Sequence, residues 1–117
     1  MFLFGGNNYN KTVLNYPNEE KVYLPLYSLN MKTFTWNQIK SRGDTVKPRD
    51  EHSAVVDEAN STMIVFGGFE EGERTNDTMV YNLKTNIWTR VKLADNAKRP
   101  CARSGHSACI SGGLMYV

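Results

Sequence analysis

"IVFGG", residues 64–68, and its near copy "FLFGG", residues 2–6, decide how this chain is to be read. Apolar residues, a phenylalanine and two glycines describe a buried strand that turns sharply where a Cβ is costly. Gly5, Gly6, Gly67 and Gly68 are therefore expected to be structural turn devices. Downstream of each doublet comes an aromatic strand, "PLYSLN" at 25–30 and "MVYNLK" at 79–84, whose Tyr27 and Tyr81 are 54 positions apart (81 − 27). A tryptophan follows in each half, Trp36 and Trp88, and then a proline, Pro48 and Pro100. An arginine and a histidine next open an apolar run, "RDEHSAVV" at 49–56 and "RSGHSACI" at 103–110, with His52 and His106 again 54 apart (106 − 52). Recurrence at this period means an array of one supersecondary unit, and each unit reads as four short strands between turn residues.

A glycine doublet after a strand, a tyrosine, a tryptophan and a Pro-Arg-His entry to the next strand resemble the kelch repeat, the blade unit of one class of β-propeller. The resemblance covers nearly the whole chain, because the marks recur twice in one order. Two features depart from it. Gly6 to Tyr27 spans eight residues more than Gly68 to Tyr81, an insertion in the first unit, and the third doublet, Gly112 and Gly113, precedes its strand and reads as a turn.

On this phase the fold is all-β, an incomplete ring of four-stranded antiparallel kelch-type blades. Residues 1–39 are the end of one blade, with strands near 2–4, 22–29 and 34–39. Residues 48–92 are a complete blade, with strands at 52–56, 63–66, 78–83 and 87–92. Residues 106–117 begin the next, with strands near 106–110 and 114–117. The resemblance implies further blades outside this chain.

Composition excludes several function classes. The 117 residues are 40% hydrophobic and 22% charged, ordinary globular material. A formal charge of +2 with no basic run interleaved with aromatics disfavours a nucleic-acid partner. The apolar start gives way at Asn7 and Asn8, so neither a leader peptide nor a membrane span is read. Cys101 and Cys109 lack CxxC spacing and read as reduced thiols. Sequons at Asn10, Asn60 and Asn76 would matter only in a secretory setting, and a cytoplasmic or nuclear one is expected.

No catalytic constellation is legible: there is no nucleophile elbow, P-loop or HExxH. His52 and His106 lack carboxylates or cysteines at ligand spacing, so each reads as a polar ring bonded to backbone beside an inner strand. Trp36 and Trp88, with Tyr27 and Tyr81, read as packing between successive blades. The acids of "FEEGERTND" at 69–77 fit no calcium loop and read as solvated. No cofactor or metal is expected.

Strand direction nevertheless picks out a face. The loops after second strands (7–21 and 69–77) and those entering first strands (40–51 and 93–105) leave the same side, and the opposite side receives tight turns. Long loops on a rigid scaffold are where recognition concentrates. Arg49, Glu70, Glu71, Arg74, Arg99 and Arg103 are the candidate contacts for a protein partner of mixed charge. Tyr9, Tyr16 and Pro17 of the insertion add material that either anchors an interface or folds back on its own blade. The expected function is protein–protein interaction, not enzymatic chemistry. The kelch resemblance also admits the substrate-recognition part of a ubiquitin-ligase adaptor, or a piece of a galactose-oxidase-like copper enzyme, for which these residues supply no ligand set.

Overall fold

A computed structural model describes residues 1–6 and 26–117. The insertion with Tyr9, Tyr16 and Pro17, the Asn10 sequon and the first part, 22–25, of the strand expected near 22–29 lie outside the described residues.

Three antiparallel arrangements follow one another along the chain. In the first, β1 (Phe2–Phe4), β2 (Leu26–Asn30) and β3 (Thr35–Ile39) pair in sequence order. The second is built from β5 (Ser53–Asp57), β6 (Thr62–Glu70), β7 (Glu73–Asn82) and β8 (Ile87–Arg90), with β4 (Arg42–Gly43) added in parallel beyond β8. The third is the hairpin of β9 (Cys109–Ser111) and β10 (Leu114–Tyr116), turning through Gly112 and Gly113.

Strand alternation explains the layers. In β5, "SAVVD", Ser53 and Val55 are buried while Ala54 and Val56 face out, the period-two pattern of a half-covered strand. Register then lines up Phe4, Leu26 and Ile39 on one face of the first sheet. It likewise lines up Met63, Tyr81 and Trp88 on the facing side of the second. The two rows meet: the Trp88 ring lies 5.0 Å from Phe4 and 4.8 Å from Tyr81. The core of Phe4, Leu26, Val46, Met63, Val65, Met79, Tyr81 and Trp88 thus sits between the two sheets. Each such side chain contributes about 1.5–3 kcal/mol by leaving water.

Trp36 fares differently. It pairs with Leu29, on the other face of the first sheet from Leu26, and is 48% exposed against 1% for Trp88. No sheet covers that face among the described residues.

The correspondence expected between Tyr27 and Tyr81 is out by two residues. The turns that follow them fix the alignment: Asn30 Oδ1 accepts from the Lys32 and Thr33 amides, as Asn82 Oδ1 does from those of Lys84 and Thr85. Those asparagines and the two tryptophans are both 52 apart (82 − 30, 88 − 36). Leu29 therefore answers to Tyr81, each opposite its tryptophan, and Tyr27 answers to Met79. A shift of two keeps a side chain on its face of a strand, so the error was invisible to face-level reasoning.

The loops differ more. Residues 69–77 are mostly strand: β6 continues to Glu70 and β7 starts at Glu73, leaving Glu71 and Gly72 at φ 51° and 94° as a two-residue turn. Positive φ at both positions suits the right-handed twist of a hairpin. Within 40–51, β4 lies along the outer edge of β8, with Arg42 N donating to Asn86 O and Asp44 N to Trp88 O, each 2.9 Å. Asp44 Oδ2 also accepts from Arg90 N at 2.7 Å, so this edge is paired and shielded.

At the doublets, space as well as φ requires glycine. A Cβ on Gly67, at φ 61°, would lie 2.7 Å from the Arg103 carbonyl, and one on Gly68 2.7 Å from that of Asp50. Gly112, at φ 58°, faces open space. Both Gly67→Ala and Gly112→Ala should cost about 1–2 kcal/mol for the left-handed backbone. Gly67→Ala should cost measurably more, because a backbone oxygen must also move. Urea denaturation of the two variants checks this, and equal losses would refute the steric part.

Phe34 occupies the left-handed region at φ 54° and is 72% exposed, at the position where the second sheet has Asn86 at φ 59°. Asparagine tolerates that region better than an aromatic residue. Phe34→Asn should raise stability by roughly 0.5–1 kcal/mol, read from the denaturation midpoint.

Candidate partner interface

Each glycine doublet is bonded to the loop that enters the next inner strand. Gly6 N donates to Arg49 O at 3.0 Å, and Gly68 N to Arg103 O at 2.9 Å. Beside each bond a histidine ring meets the doublet's phenylalanine edge-on: His52 on Phe4 at 5.1 Å, His106 on Phe66 at 5.5 Å. His106 Nε2 shares a 2.8 Å hydrogen bond with the Ser53 hydroxyl, so its partner is a side chain and not the expected backbone. Burial lowers the His52 pKa below the ordinary 6.5, and the Arg49 charge lowers it further, against the opposing pull of Asp50. Both rings pack as linkers between sheets.

From this junction the Arg49 side chain, fully buried, turns into the second sheet. Its Nη1 donates to Gly67 O at 3.1 Å and to Asp77 Oδ1 at 2.6 Å; its Nη2 reaches Glu70 Oε2 at 2.6 Å and Asp77 Oδ2 at 3.1 Å. The fork onto Asp77 is the geometry a guanidinium matches best. Arg90 Nη1 and the Thr75 hydroxyl complete the shell of Asp77. Burial pushes this carboxyl up, but the Arg49 hydrogen bond and charge, the Thr75 hydroxyl and Arg90 together hold it below the ordinary 3.8. At the rim, Lys47 Nζ pairs with Glu71 at 2.8 Å and Glu70 at 3.8 Å.

These bonds gather segments far apart in sequence. Asp50 and Phe69 exchange backbone bonds of 3.1 and 2.8 Å, Arg103 N donates to Thr75 O at 3.0 Å, and Asn76 Nδ2 to Pro100 O at 3.1 Å. Residues 47–51, 69–77 and 93–105 thus meet at one end of the second sheet, and the turns at 58–61 and 83–86 lie at the other. The start of the expected 40–51 loop departs from that end, since Arg42 N bonds Asn86 O in the 83–86 turn.

The six candidate contacts divide accordingly. Glu71, Arg74 and Arg99 are exposed at this end. Arg103 is half-buried and folds back on Cys101, its Nε 3.3 Å from the carbonyl oxygen and its Nη2 3.4 Å from Sγ. Glu70 is held by Arg49. Arg49 departs from the expectation of a contact residue: its carboxylate partners and the Gly67 carbonyl draw it inside, where it braces the hairpin instead of meeting solvent. The acids of 69–77 are likewise not all solvated. Sequence reasoning missed Arg90 and Lys47 and read Asp77 as solvated, although the Glu71-Gly72 pair is a turn signal that would have folded 69–77 into a hairpin and brought Asp77 back beside Gly67.

Among the described residues no group of three or more histidine, cysteine or acidic side chains is placed to hold a metal ion. No helix is long and apolar enough to cross a membrane.

Residues 1–117 all match the model of the KLHDC2/KLHL20/DRC7 Kelch-repeats domain. The chain belongs to the kelch-repeat family. Its sheets are thus blades of a kelch-type β-propeller, which here do not close a ring. Among curated proteins it is similar to Kelch domain-containing protein 3 of Bos taurus, 32% identical over 119 residues, covering 100% of this chain and 28% of that protein. Acyl-CoA-binding domain-containing protein 5 of Arabidopsis thaliana is 29% identical over 117 residues, covering 100% of this chain and 16% of its own length. Dynein regulatory complex subunit 7 of Chlamydomonas reinhardtii is 32% identical over 93 residues, covering 79% of this chain and 8% of that protein. The chain therefore spans a minor part of each relative. Kelch-repeat domains are in general protein–protein interaction modules and typically not enzymes.

Replacing Arg49 by methionine leaves Glu70 and Asp77 partly buried without their main cation, and stability should fall by about 3 kcal/mol or more. Because the Asp77 carboxyl is held below 3.8 in the fold, its contribution is present above that pH and lost as the pH falls through the folded value. Chemical denaturation between neutral and acid pH should give a shallower acid slope for Asp77→Asn than for the parent, and equal slopes would contradict the assignment.

Proposed function

We propose that this chain binds a partner protein through the end of the blades where residues 47–51, 69–77 and 93–105 converge. The observation that carries the reading is the bracing of these segments by a buried arginine. Arg49 fixes the 69–77 hairpin against the loop entering β5, so the exposed groups beyond it stand on a rigid support. Rigid presentation lowers the ordering cost of association. Glu71, Arg74 and Arg99 offer both signs of charge at this rim, which suits a polypeptide segment carrying both. An adaptor role in a ubiquitin ligase would draw on a domain outside this chain, with this surface selecting the substrate.

The test uses the longest natural polypeptide containing this chain and a partner recovered with it by affinity capture. Reversing Arg74 and Arg99 to glutamate, or Glu71 to lysine, should weaken binding by ~1 kcal/mol or more at low salt without moving the melting temperature. Reversing Asp57 and Glu58, in the turn at the opposite end, should change little. Loss with the second pair and silence of the first sets would put the interface on the other side.

A further inference from the structure

His52 is a titratable ring wedged between two blades. It meets Phe4 of the first sheet edge-on at 5.1 Å, and a Cβ on Gly5 would lie 2.6 Å from its Cε1 and 3.3 Å from its Nδ1. On its other side, a Cβ on Gly68 would lie 2.9 Å from the His52 Cβ. The residue thus fills the space that both glycine doublets leave free. Its Nδ1 is buried and has no hydrogen-bond partner. In the neutral ring that atom can stay a bare lone pair, which forgoes only one bond. In the protonated ring both nitrogens are donors, so Nδ1 would hold an N–H and a share of positive charge against Gly5 with no acceptor. A buried donor without a partner is costly, and a buried charge more so.

The charges around the ring oppose one another. On its own loop His52 faces Arg49, which disfavours a second cation, and Asp50, which favours one; from the loop entering the next inner strand it faces His106. The neighbouring Glu51 is exposed, with its carboxylate toward Gly105. β1 and the doublets bring Phe4, Gly5 and Gly68, none of them charged, and the Phe4 backbone bonds the ring. Burial is the largest of these influences and leaves the pKa below 6.5. The repeat builds the same arrangement again: His106 Nδ1 is also buried without a partner, and its Cε1 lies 3.1 Å from where a Gly67 Cβ would stand.

We propose that His52 is a proton-operated latch on the joint between the two blades: its neutral ring closes the joint, and proton uptake in mild acid opens it while each sheet keeps its own ladder. The bond that opening breaks is the one from Gly6 N to Arg49 O, because the Arg49 carbonyl and the ring both press on Gly5. Since folding holds His52 below 6.5, its contribution to the joint is fully present above that pH and is lost as the pH falls from there through the folded value. The loss begins where Asp77, held below 3.8, is still ionised, so the two titrations are separable. The latch is independent of the partner-binding reading, since it concerns the stability of the joint alone.

Amide hydrogen exchange on the longest natural polypeptide containing this chain tests it, at about pH 7.5 and about pH 5.5, with rates corrected for the intrinsic pH dependence of exchange. Protection of the Gly6 amide should fall in acid by up to about tenfold, the limit for one proton taken up a pH unit below the unfolded value. The amides of β7, which is paired on both sides, should keep theirs. In His52→Phe, which keeps a ring at the Phe4 edge but takes up no proton, Gly6 protection should be equal at the two pH values. Should that variant not fold, the Cε1 proton resonance of His52 in the parent is followed instead; its midpoint should lie below 6.5 and its titration should track the loss of Gly6 protection. Unchanged Gly6 protection in the parent, an equal loss across β7, or a loss that persists in His52→Phe each overturns the proposal, as does a midpoint at or above 6.5.

Discussion

A small twisted sheet has two faces and cannot bury either by itself, so each sheet here is stable only through what it packs against. The contact that satisfies this is the meeting of Phe4 and Leu26 with Tyr81 and Trp88. Nearly everything else serves it. The register of β1, β2 and β3 puts Phe4, Leu26 and Ile39 in one row. The glycine doublet lets the backbone approach the following loop closely enough for the bond from Gly6 to the Arg49 carbonyl, and the short β4 covers the outer edge of the strand that carries Trp88.

The same junction links packing to the loop end. The Arg49 carbonyl receives the bond from one blade's doublet while its guanidinium enters the next blade and gathers Glu70, Asp77 and the Gly67 carbonyl. A single residue thereby ties sheet-to-sheet geometry to the position of the 69–77 hairpin. A buried ion cluster of this kind is a weak source of net stability compared with apolar packing, but it is costly to break and so specifies one arrangement. That is the property a recognition surface requires of its support.

Exposure reads the same logic from the other side. Trp88 and Trp36 hold the same strand position after the same kind of turn, yet one is covered and the other is not. The difference lies wholly in whether a second sheet stands opposite. Internal repetition thus supplies a control within one chain: a position covered once and open once shows which contact the fold is built to make.

The repeat, the all-β class and the family were legible in the sequence because glycine doublets, tryptophans and histidines recur in a fixed order, and because strand alternation and turn chemistry are local. The histidines, Trp88 and the doublets fell where that order put them along the chain. Tertiary structure decided the rest. It shifted the tyrosine alignment by two, since an alternating strand preserves its face under such a slip, and the Asx turns of Asn30 and Asn82 set the true register. It also took Arg49 from a surface candidate to the buried centre of an ion cluster. A guanidinium's place depends on carboxylates that only hairpin closure brings near, and Glu70 and Asp77, 21 and 28 positions away along the chain, become its neighbours only once β6 and β7 have paired.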